Sequence, residues 1–393
     1  MSTASSSTFR CVAPNRHNGL QELPSIPVEL YTLIFDHIDP HDPCEMTMLE
    51  HKSTTAALCL VCRMFCVECQ PRLFRVVQHS GTADSARHGR ALQLWSNLLK
   101  EKDQRSILLA NFVQEYTLSS WYASNASAQW FFTAFLERRM ATALHFMNLK
   151  TFKMKNCQIF SSTLGVLAQM PSLRSVSFDG CIPTIQGRLE DTQHSHTAWT
   201  RFSATQTFFP SEWHQLLSDF IDADGLEYLS VDDWSLACAI LEGRHANRLR
   251  ELYISIGSSQ ASSVPTFLAR MPNLTRLSVY DGPWGLGMPL SPHVIPRLQE
   301  IEGGSTTLSQ IIPGRPIAHI ALSGSRGVPQ TSIFSAAKHS TANIRSMCLP
   351  QAHLHLLRSA DFPYLESLTI RPKCVRRMKS LPYLETFHVS HSR

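Results

Sequence analysis

Residues 167–181 read LAQMPSLRSVSFDGC, and residues 268–279 read LARMPNLTRLSV. Aligned on their Met-Pro pairs, the two segments place apolar residues at Leu173, Val176, Phe178 and at Leu274, Leu277, Val279, the spacing Leu-x-x-Leu-x-Leu. The alternation at the end of that pattern is what a half-buried strand requires. The pattern recurs at Leu149-Phe152-Met154, followed by Cys157 and Ile159, and at Leu226-Leu229-Val231, Leu249-Leu252-Ile254 and Leu298-Ile301. Weaker copies follow at Ile317-Ile320-Leu322, Ile344-Met347-Leu349, Leu365-Leu368-Ile370 and Leu384-Phe387-Val389. Neighbouring copies lie 19 to 27 residues apart, except for one gap of 53 between Leu173 and Leu226.

With Cys157 and Ile159 in place, the first copy fills L-x-x-L-x-L-x-x-N/C-x-L, and residues 149–393 thus resemble a degenerate leucine-rich repeat. Each short strand would turn alternate apolar side chains inward, and stacked neighbours would close a core that no single repeat can bury. Helices are expected on the outer face. One would start at Ser263 as N-cap, with Pro265 in its first turn and Val264, Leu268 and Met271 facing in. The segment 183–211, rich in Thr, Ser and His, is expected to be a polar insertion. After it, Trp213, Leu216, Leu217, Phe220 and Ile221 follow the helical i, i+3, i+4, i+7, i+8 rule. Upstream, Val113-x-x-Tyr116-x-Leu118-x-x-Trp121 has the form of a first, poorly matched repeat strand within a linker over 81–148. Helices are expected there around Leu92, Trp95 and Leu99, and around Trp130, Ala134, Phe135 and Arg138 with a cap near Ser127.

Residues 21–80 have a different period. Pro27 suits a first helical position, and Glu29 suits the positive end of the helix dipole. Leu30, Ile34 and Ile38 make one apolar stripe, and Tyr31 and Phe35 make a second beside it. Asp39-Pro40 ends this helix. A second helix is expected from about Thr55, with Leu58, Val61, Cys62, Phe65 and Cys69 on one face, and Pro71 is expected to break it. Two stripes are more than a lone helical hairpin can cover, so one is left for a partner. The residues Ile26-Pro27-x-Glu29-Leu30-x-x-x-Ile34-Phe35, Leu60-Val61-Cys62-Arg63-x-Phe65 and Pro71-x-Leu73-Phe74 resemble the F-box. Phe65 stands where that family commonly has Trp, and the link from Asp39 to Thr54 is longer than its usual one. The resemblance implies docking to the Skp adaptor of cullin–RING ubiquitin ligases, with Ile26, Pro27, Leu30, Ile34, Phe35, Val61, Cys62 and Phe65 adaptor-facing or in the module core.

The fold class expected is therefore α/β: a short all-α F-box-like helical module followed by a leucine-rich-repeat-like α/β solenoid, with residues 1–20 as a flexible tail. A hydrophobic content of 43% is ample for a core, and 17% charged residues argues against a mainly disordered chain. The net charge of +5 is spread along the sequence and makes no nucleic-acid footprint. No stretch approaches the ~18 apolar residues of a membrane span, and MSTASSSTFR lacks the apolar core of a signal peptide. The 11 cysteines sit mostly inside apolar patterns, as reduced thiols of the cytoplasm or nucleus do.

Cys59, Cys62, Cys66 and Cys69 form two C-x-x-C pairs with His37, His41, Cys44 and His51 upstream. On a single helix Cys59 and Cys69 would lie about 15 Å apart, whereas tetrahedral zinc ligands lie within ~4 Å of one another. Metal and cofactor are therefore not expected, and the thiols are expected to pack as small hydrophobes. His194-x-His196 has no matching carboxylate, Asp232-Asp233 suits a solvated pair, and phosphate-loop, dinucleotide and nucleophile-elbow motifs are missing. An enzyme is not expected.

The recognition surface follows from repeat geometry. The third, fifth and seventh positions, facing away from the core, are Thr151, Lys153, Lys155; Ser175, Ser177, Asp179; Tyr228, Ser230, Asp232; Glu251, Tyr253, Ser255; Arg276, Ser278, Tyr280; Glu300 and Glu302; and, near the end, Arg371 and His388. Of these, Lys153, Lys155, Tyr228, Asp232, Tyr253, Arg276 and Tyr280 are the expected substrate contacts, tyrosine giving contact area at low entropic cost. The function these expectations describe is a substrate-recognition subunit of an SCF-type (Skp–cullin–F-box) E3 ligase binding an unknown protein, with no nucleic acid or membrane partner. The alternative is a non-catalytic leucine-rich-repeat scaffold without a ligase role.

Overall fold

Short parallel strands joined by short helices make up most of the described chain. The structure, a computed structural model, describes residues 16–18, 21–23, 26–38, 45–81, 104–121, 140, 143–184, 197–281, 289–323, 332–358, 361–371 and 387–389. Two compact units are formed, Met1–Lys153 with Gln169–Leu173, and Met154–Ala168 with Arg174–Arg393. The helices expected around Trp95 and Trp130, the pair His194 and His196, and Leu384 lie outside the described residues.

In the first unit, β1 (Arg16–Asn18) pairs antiparallel with β2 (Gln21–Leu23), within and just beyond the expected tail. Asn18-Gly19 in the sequence is a dipeptide that hairpins favour. Helix α1 (Val28–Ile38) ends at the expected point. The long inter-helix link, by contrast, is largely a helix, α2 (Glu45–Cys59). The His51 ring Nδ1 lies 2.9 Å from the Ile38 carbonyl oxygen, so it satisfies an orphan acceptor at the end of α1.

The expected helix through Cys59 and Cys69 is broken. Leu60 and Val61 form a turn, and Cys62 is extended (φ −159°, ψ 169°) as the N-cap of α3 (Arg63–Arg75), its Sγ accepting the Phe65 N–H. The single-helix premise of the zinc argument fails with it. Cys59 folds back until its thiol interacts with those of Cys66 and Cys69, and burial pushes Cys69 up to about 11. Pro71 does not break α3 either. Proline removes one rung of a helix, and Arg72 fastens the turn by donating to the Glu68 carbonyl at 2.8 Å and to Asp36 on α1 at 2.7 Å. After α3 the chain enters β3 (Val76–Ser80), which pairs in parallel with β4 (Glu115–Ser119) behind α4 (Gln104–Phe112). Strand β4 is the expected poorly matched copy, with Val113, Tyr116, Leu118 and Trp121 all buried. The Lys150 and Thr151 N–H groups both donate to Gln114 O at the start of β5 (Thr151–Lys155).

The second unit is a repeat sheet. Its strands are β7 (Ser175–Asp179), β9 (Arg201–Thr205), β10 (Tyr228–Val231), β11 (Glu251–Ile256), β12 (Arg276–Asp281), β13 (Glu300–Gly303), β14 (His319–Leu322), β15 (Ser346–Pro350), β16 (Ser367–Arg371) and β17 (Phe387–Val389), side by side in that order. All pairings from β7 to β16 are parallel and in register; β17 runs antiparallel to β16, against the parallel stacking expected of a further copy. Strands β6 (Gln158–Phe160) and β8 (Ile182–Thr184) form a separate small parallel pair. Helices α5 (Ser161–Ala168), α6 (Ser211–Phe220), α7 (Trp234–Ile240), α8 (Val264–Leu268), α9 (Ser305–Ile311) and α10 (Ser332–Ala337) lie between strands.

Strand β9 corrects the reading of 183–211 as an insertion. Trp199, Phe202 and Ala204 are buried at repeat positions, Trp199 stacking on Phe202 at 6.5 Å and 5°. The gap of 53 thereby divides into 26 from Leu173 to Trp199 and 27 from Trp199 to Leu226. Trp199, Phe202 and Ala204 replace the three leucines, two large residues with a small one, so the positions stay filled while the motif disappears.

One backbone joint recurs throughout. Two consecutive N–H groups donate to a single carbonyl of the preceding repeat: Glu227 and Tyr228 to Thr200 O, Arg250 and Glu251 to Glu227 O, Thr275 and Arg276 to Arg250 O, and on to Glu366 and Ser367 at Arg345 O. The turn before each leading leucine is also shared, Leu173 N–H donating to Met170 O, Leu274 to Met271 O, Leu298 to Ile295 O and Leu365 to Phe362 O. Pro171, Pro272, Pro296 and Pro363 occupy the turn position for which a fixed φ is suited. After β4, β5, β7 and β9 the chain passes through left-handed Ser120, Asn156, Gly180 and Gln206. At the next position Cys157, Cys181 and Thr207 are buried, and the Cys181 N–H donates to Thr207 Oγ1 at 3.0 Å. Ser263 precedes α8 but does not cap it; its hydroxyl donates back to Gln260 O at 2.8 Å.

Candidate functional site

On α1 the Tyr31–Phe35 stripe is buried and the other stripe is split, Ile38 packing inward while Leu30 and Ile34 face out. Tyr31 and Phe35 (3% exposed) are core, meeting Phe65 edge-on at 5.4 and 5.2 Å, with Ile26, Ile38, Leu58, Cys59 and Cys62 packed around them. Leu30 (48%) and Ile34 (50%) face out, as does Leu33. The break between α2 and α3 exposes Leu60 and Val61 (64%) at its turn. Of the expected adaptor residues, Phe35, Phe65, Ile26 and Cys62 therefore belong to the module core. Leu30, Ile34, Val61 and Pro27 are surface.

On the repeat face the parallel register stacks third-position residues in one column and fifth-position residues in another. Tyr228, Tyr253 and Arg276 come together there. The tyrosine rings lie 5.4 Å apart, the Arg201 guanidinium sits 4.2 Å above the Tyr228 ring, and Arg276 Nη1 is 3.5 Å from both the Tyr253 hydroxyl and Glu251. Arg276 Nε donates to Glu300. That bond holds the Arg276 guanidinium above its ordinary range, and burial raises Tyr253. Arg371 Nη2 donates to Glu302 at 3.0 Å, and the Ser278 hydroxyl donates to the other Glu302 oxygen at 3.3 Å.

The remaining expected contacts stand apart from this group. Lys153, assigned to the first unit, is paired with Glu115 at 2.9 Å. Lys155 is exposed at the end of β5, and Tyr280 is exposed on β12. Asp232 accepts the Gln206 N–H at 2.6 Å, and Asp233 accepts the Ser235 N–H at 2.8 Å as the N-cap of α7. The acidic pair thus organises backbone rather than merely being solvated. His388 lies on β17.

A cavity of about 270 Å³ opens on this face, lined by Tyr253, Arg276, Ser278, Glu300, Glu302, His319, Ala321, Ser346 and Cys348 with backbone of the core positions between them. Arg201, His319, Ser346 and Cys348 were not among the expected contacts; counting third and fifth positions through β9, β14 and β15 finds them. Among the described residues, no group of three or more His, Cys, Asp or Glu side chains is arranged to hold a metal ion, and no helix is long and apolar enough to cross a membrane.

No protein-family model matches the chain, and no curated protein matches it. Among solved structures, the chain is similar to the crystal structure of a TLR13–ssRNA13 complex, with a TM-score of 0.34 and 13% identity over 67% of this chain. The match covers 41% of that protein, so the chain spans less than half of its length.

Proposed function

We propose that the chain is a substrate-recognition subunit of an SCF-type E3 ubiquitin ligase in the cytoplasm or nucleus. The helical unit would dock the Skp adaptor, and the repeat face would hold a protein substrate. The chain would supply no chemistry of its own. It would raise the substrate's effective concentration beside the cullin–RING machinery. The observation that supports this reading is the unburied face of α1 formed by Leu30, Leu33 and Ile34. A small helical unit that buries Tyr31 and Phe35 yet leaves Leu30, Leu33 and Ile34 in solvent carries the apolar surface of an interaction site.

The test is capture of the purified chain by the Skp adaptor, with Leu30→Asp plus Ile34→Asp as the comparison. Phe35 is left intact because an aspartate in the core would unfold the module. Wild type bound and variant unbound, at equal melting temperature, supports the proposal. No capture of the wild type sinks it, and capture of both forms refutes the interface. The second reading, a leucine-rich-repeat scaffold without a ligase role, is favoured by one feature. Helix α2 fills the link between the two F-box-like helices, a place where the family has a shorter connection.

A further inference from the structure

The cavity on the repeat face owes its shape to side-chain size along one column. Across the in-register strands β11 to β15 the fifth position runs Tyr253, Ser278, Glu302, Ala321, Cys348. A tyrosine ends the column on one side, and the small residues Ser278 and Ala321 leave a hollow on either side of Glu302. Arg276, Glu300, His319 and Ser346 form its other wall.

The charges lining this hollow do not balance. Arg276 is positive and Glu300 and Glu302 are negative. The Arg276 guanidinium is already engaged with Glu300, Glu251 and Tyr253. Glu302 is matched only from outside the lining, by Arg371. Strands β13 and β16 are three places apart, about 14 Å at ~4.8 Å per strand. The pair therefore reaches over β14 and β15, from Arg371, which is in register with Pro350, past Cys348, whose thiol the guanidinium also meets, and past Ala321. A guanidinium from outside the lining thus reaches a carboxylate of the hollow whose second oxygen is oriented by Ser278, and remains partly exposed.

We infer that the hollow is a receptor site for an arginine side chain of a bound polypeptide, and that Arg371 holds its acid, Glu302, in the unliganded chain. The inference rests on the proposed role of this face in holding a protein. Exchange of one guanidinium for another keeps the charge constant, and an ion pair this exposed is readily displaced. With Arg371 withdrawn the lining carries one excess negative charge, which opposes an anion. A planar guanidinium matches both Glu302 oxygens and stacks on a tyrosine as Arg201 already does on Tyr228, which an ammonium does less well.

The test uses the full chain with ¹³C-methyl-labelled alanine, following the Ala321 resonance during titration with acetyl-Gly-Arg-Gly-amide and its lysine and citrulline counterparts. The arginine peptide should shift Ala321, the lysine peptide should bind more weakly, and uncharged citrulline should not bind. Arg371→Ala should tighten arginine binding by about threefold or more, because the internal competitor for Glu302 is gone. Glu302→Gln should weaken it by about tenfold. Equal binding of arginine and citrulline, no shift in either wild type or Arg371→Ala, or unchanged or weaker affinity in Arg371→Ala overturns the inference. If Arg371→Ala fails to fold, Arg371→Gln keeps the reach without the charge and is judged by the same threshold. A chain that captures the adaptor but shows no arginine-dependent shift overturns this inference alone. One that shows the shift but does not capture the adaptor overturns the ligase reading alone.

Discussion

Replacing Arg315 with methionine should destabilise the repeat unit by about 3 kcal/mol. Arg315 is completely buried, and no carboxylate pairs with it among the described residues. Its guanidinium instead donates to backbone carbonyls of Leu290, Ser291, Val294, Ile311 and Pro313, gathering the loop before β13's neighbouring helix and the end of α9. Burial lowers its pKa to about 10, a penalty of about 3 kcal/mol that methionine would remove. Methionine would also orphan four carbonyls, because Ser291 O alone keeps another donor, the Val294 N–H. At about 1–2 kcal/mol for each bond to the guanidinium lost, those at Leu290 and Ile311 buried and those at Val294 and Pro313 half-buried, the loss is about 4–8 kcal/mol. The net cost is then about 1–5 kcal/mol, and its central value of about 3 kcal/mol means, for a unit of this size, a fall in melting temperature of about 6–12 °C. Thermal and urea unfolding of wild type, Arg315→Met and Arg315→Lys would measure it, with lysine intermediate because it has fewer donors. A methionine variant as stable as wild type would show that the buried charge costs more than its bonds return, and the reasoning would fail.

Among the described residues neither ring nitrogen of buried His353 has a hydrogen-bond partner, and burial, then His355, lowers its pKa. A base lowered in the folded state stays neutral there while the unfolded chain titrates normally. Stability should therefore be complete above about pH 6.5 and fall on acidification towards the lowered value, by at most about 1.4 kcal/mol per pH unit. His353→Phe should remove that slope in urea unfolding at about pH 7.5 and about pH 5.5, and a wild-type–variant difference that ignores pH would refute it. Trp199→Ala should cost about 3–5 kcal/mol as a core deletion; a calorimetric loss under about 0.5 kcal/mol is the result expected if 183–211 were only a loop. Gly180 and Gly243 are both left-handed, but a Cβ at 180 would overlap the Asn156 side chain whereas one at 243 meets nothing within 4 Å. Gly180→Ala should thus lower the melting temperature more than Gly243→Ala, and equal losses would contradict the packing of Asn156 on Gly180.

The repeat sheet was legible because Leu-x-x-Leu-x-Leu reports burial directly, and Leu226, Leu252 and Leu277 are all fully buried. The copy at Trp199 was hidden because its core volume is divided differently, although the Pro-x-Leu turn before Leu173, Leu274, Leu298 and Leu365 gave a second ruler. In the helical unit, pattern could show two stripes on α1 but could not say which faces in. That depends on Phe65, 30 residues beyond Phe35. The break before Cys62 was unreadable because its cap is a thiol, not one of the usual Ser, Thr, Asp or Asn. The face residues were found by counting, but their grouping was not. Arg371 meets Glu302 from 69 residues away, a contact that no local pattern announces.

The joint between successive repeats is built on main-chain atoms, two N–H groups and one carbonyl, with a second-position hydroxyl added at Thr200 and Thr275 and no side chain from the third or fifth column. Its strength therefore does not depend on which side chains stand in the third and fifth columns. Exchanges along those columns can change what the surface discriminates while the spacing of the strands stays fixed. The selectivity proposed for this face would consequently be open to piecemeal revision, one position at a time, without change to the joints that space the strands.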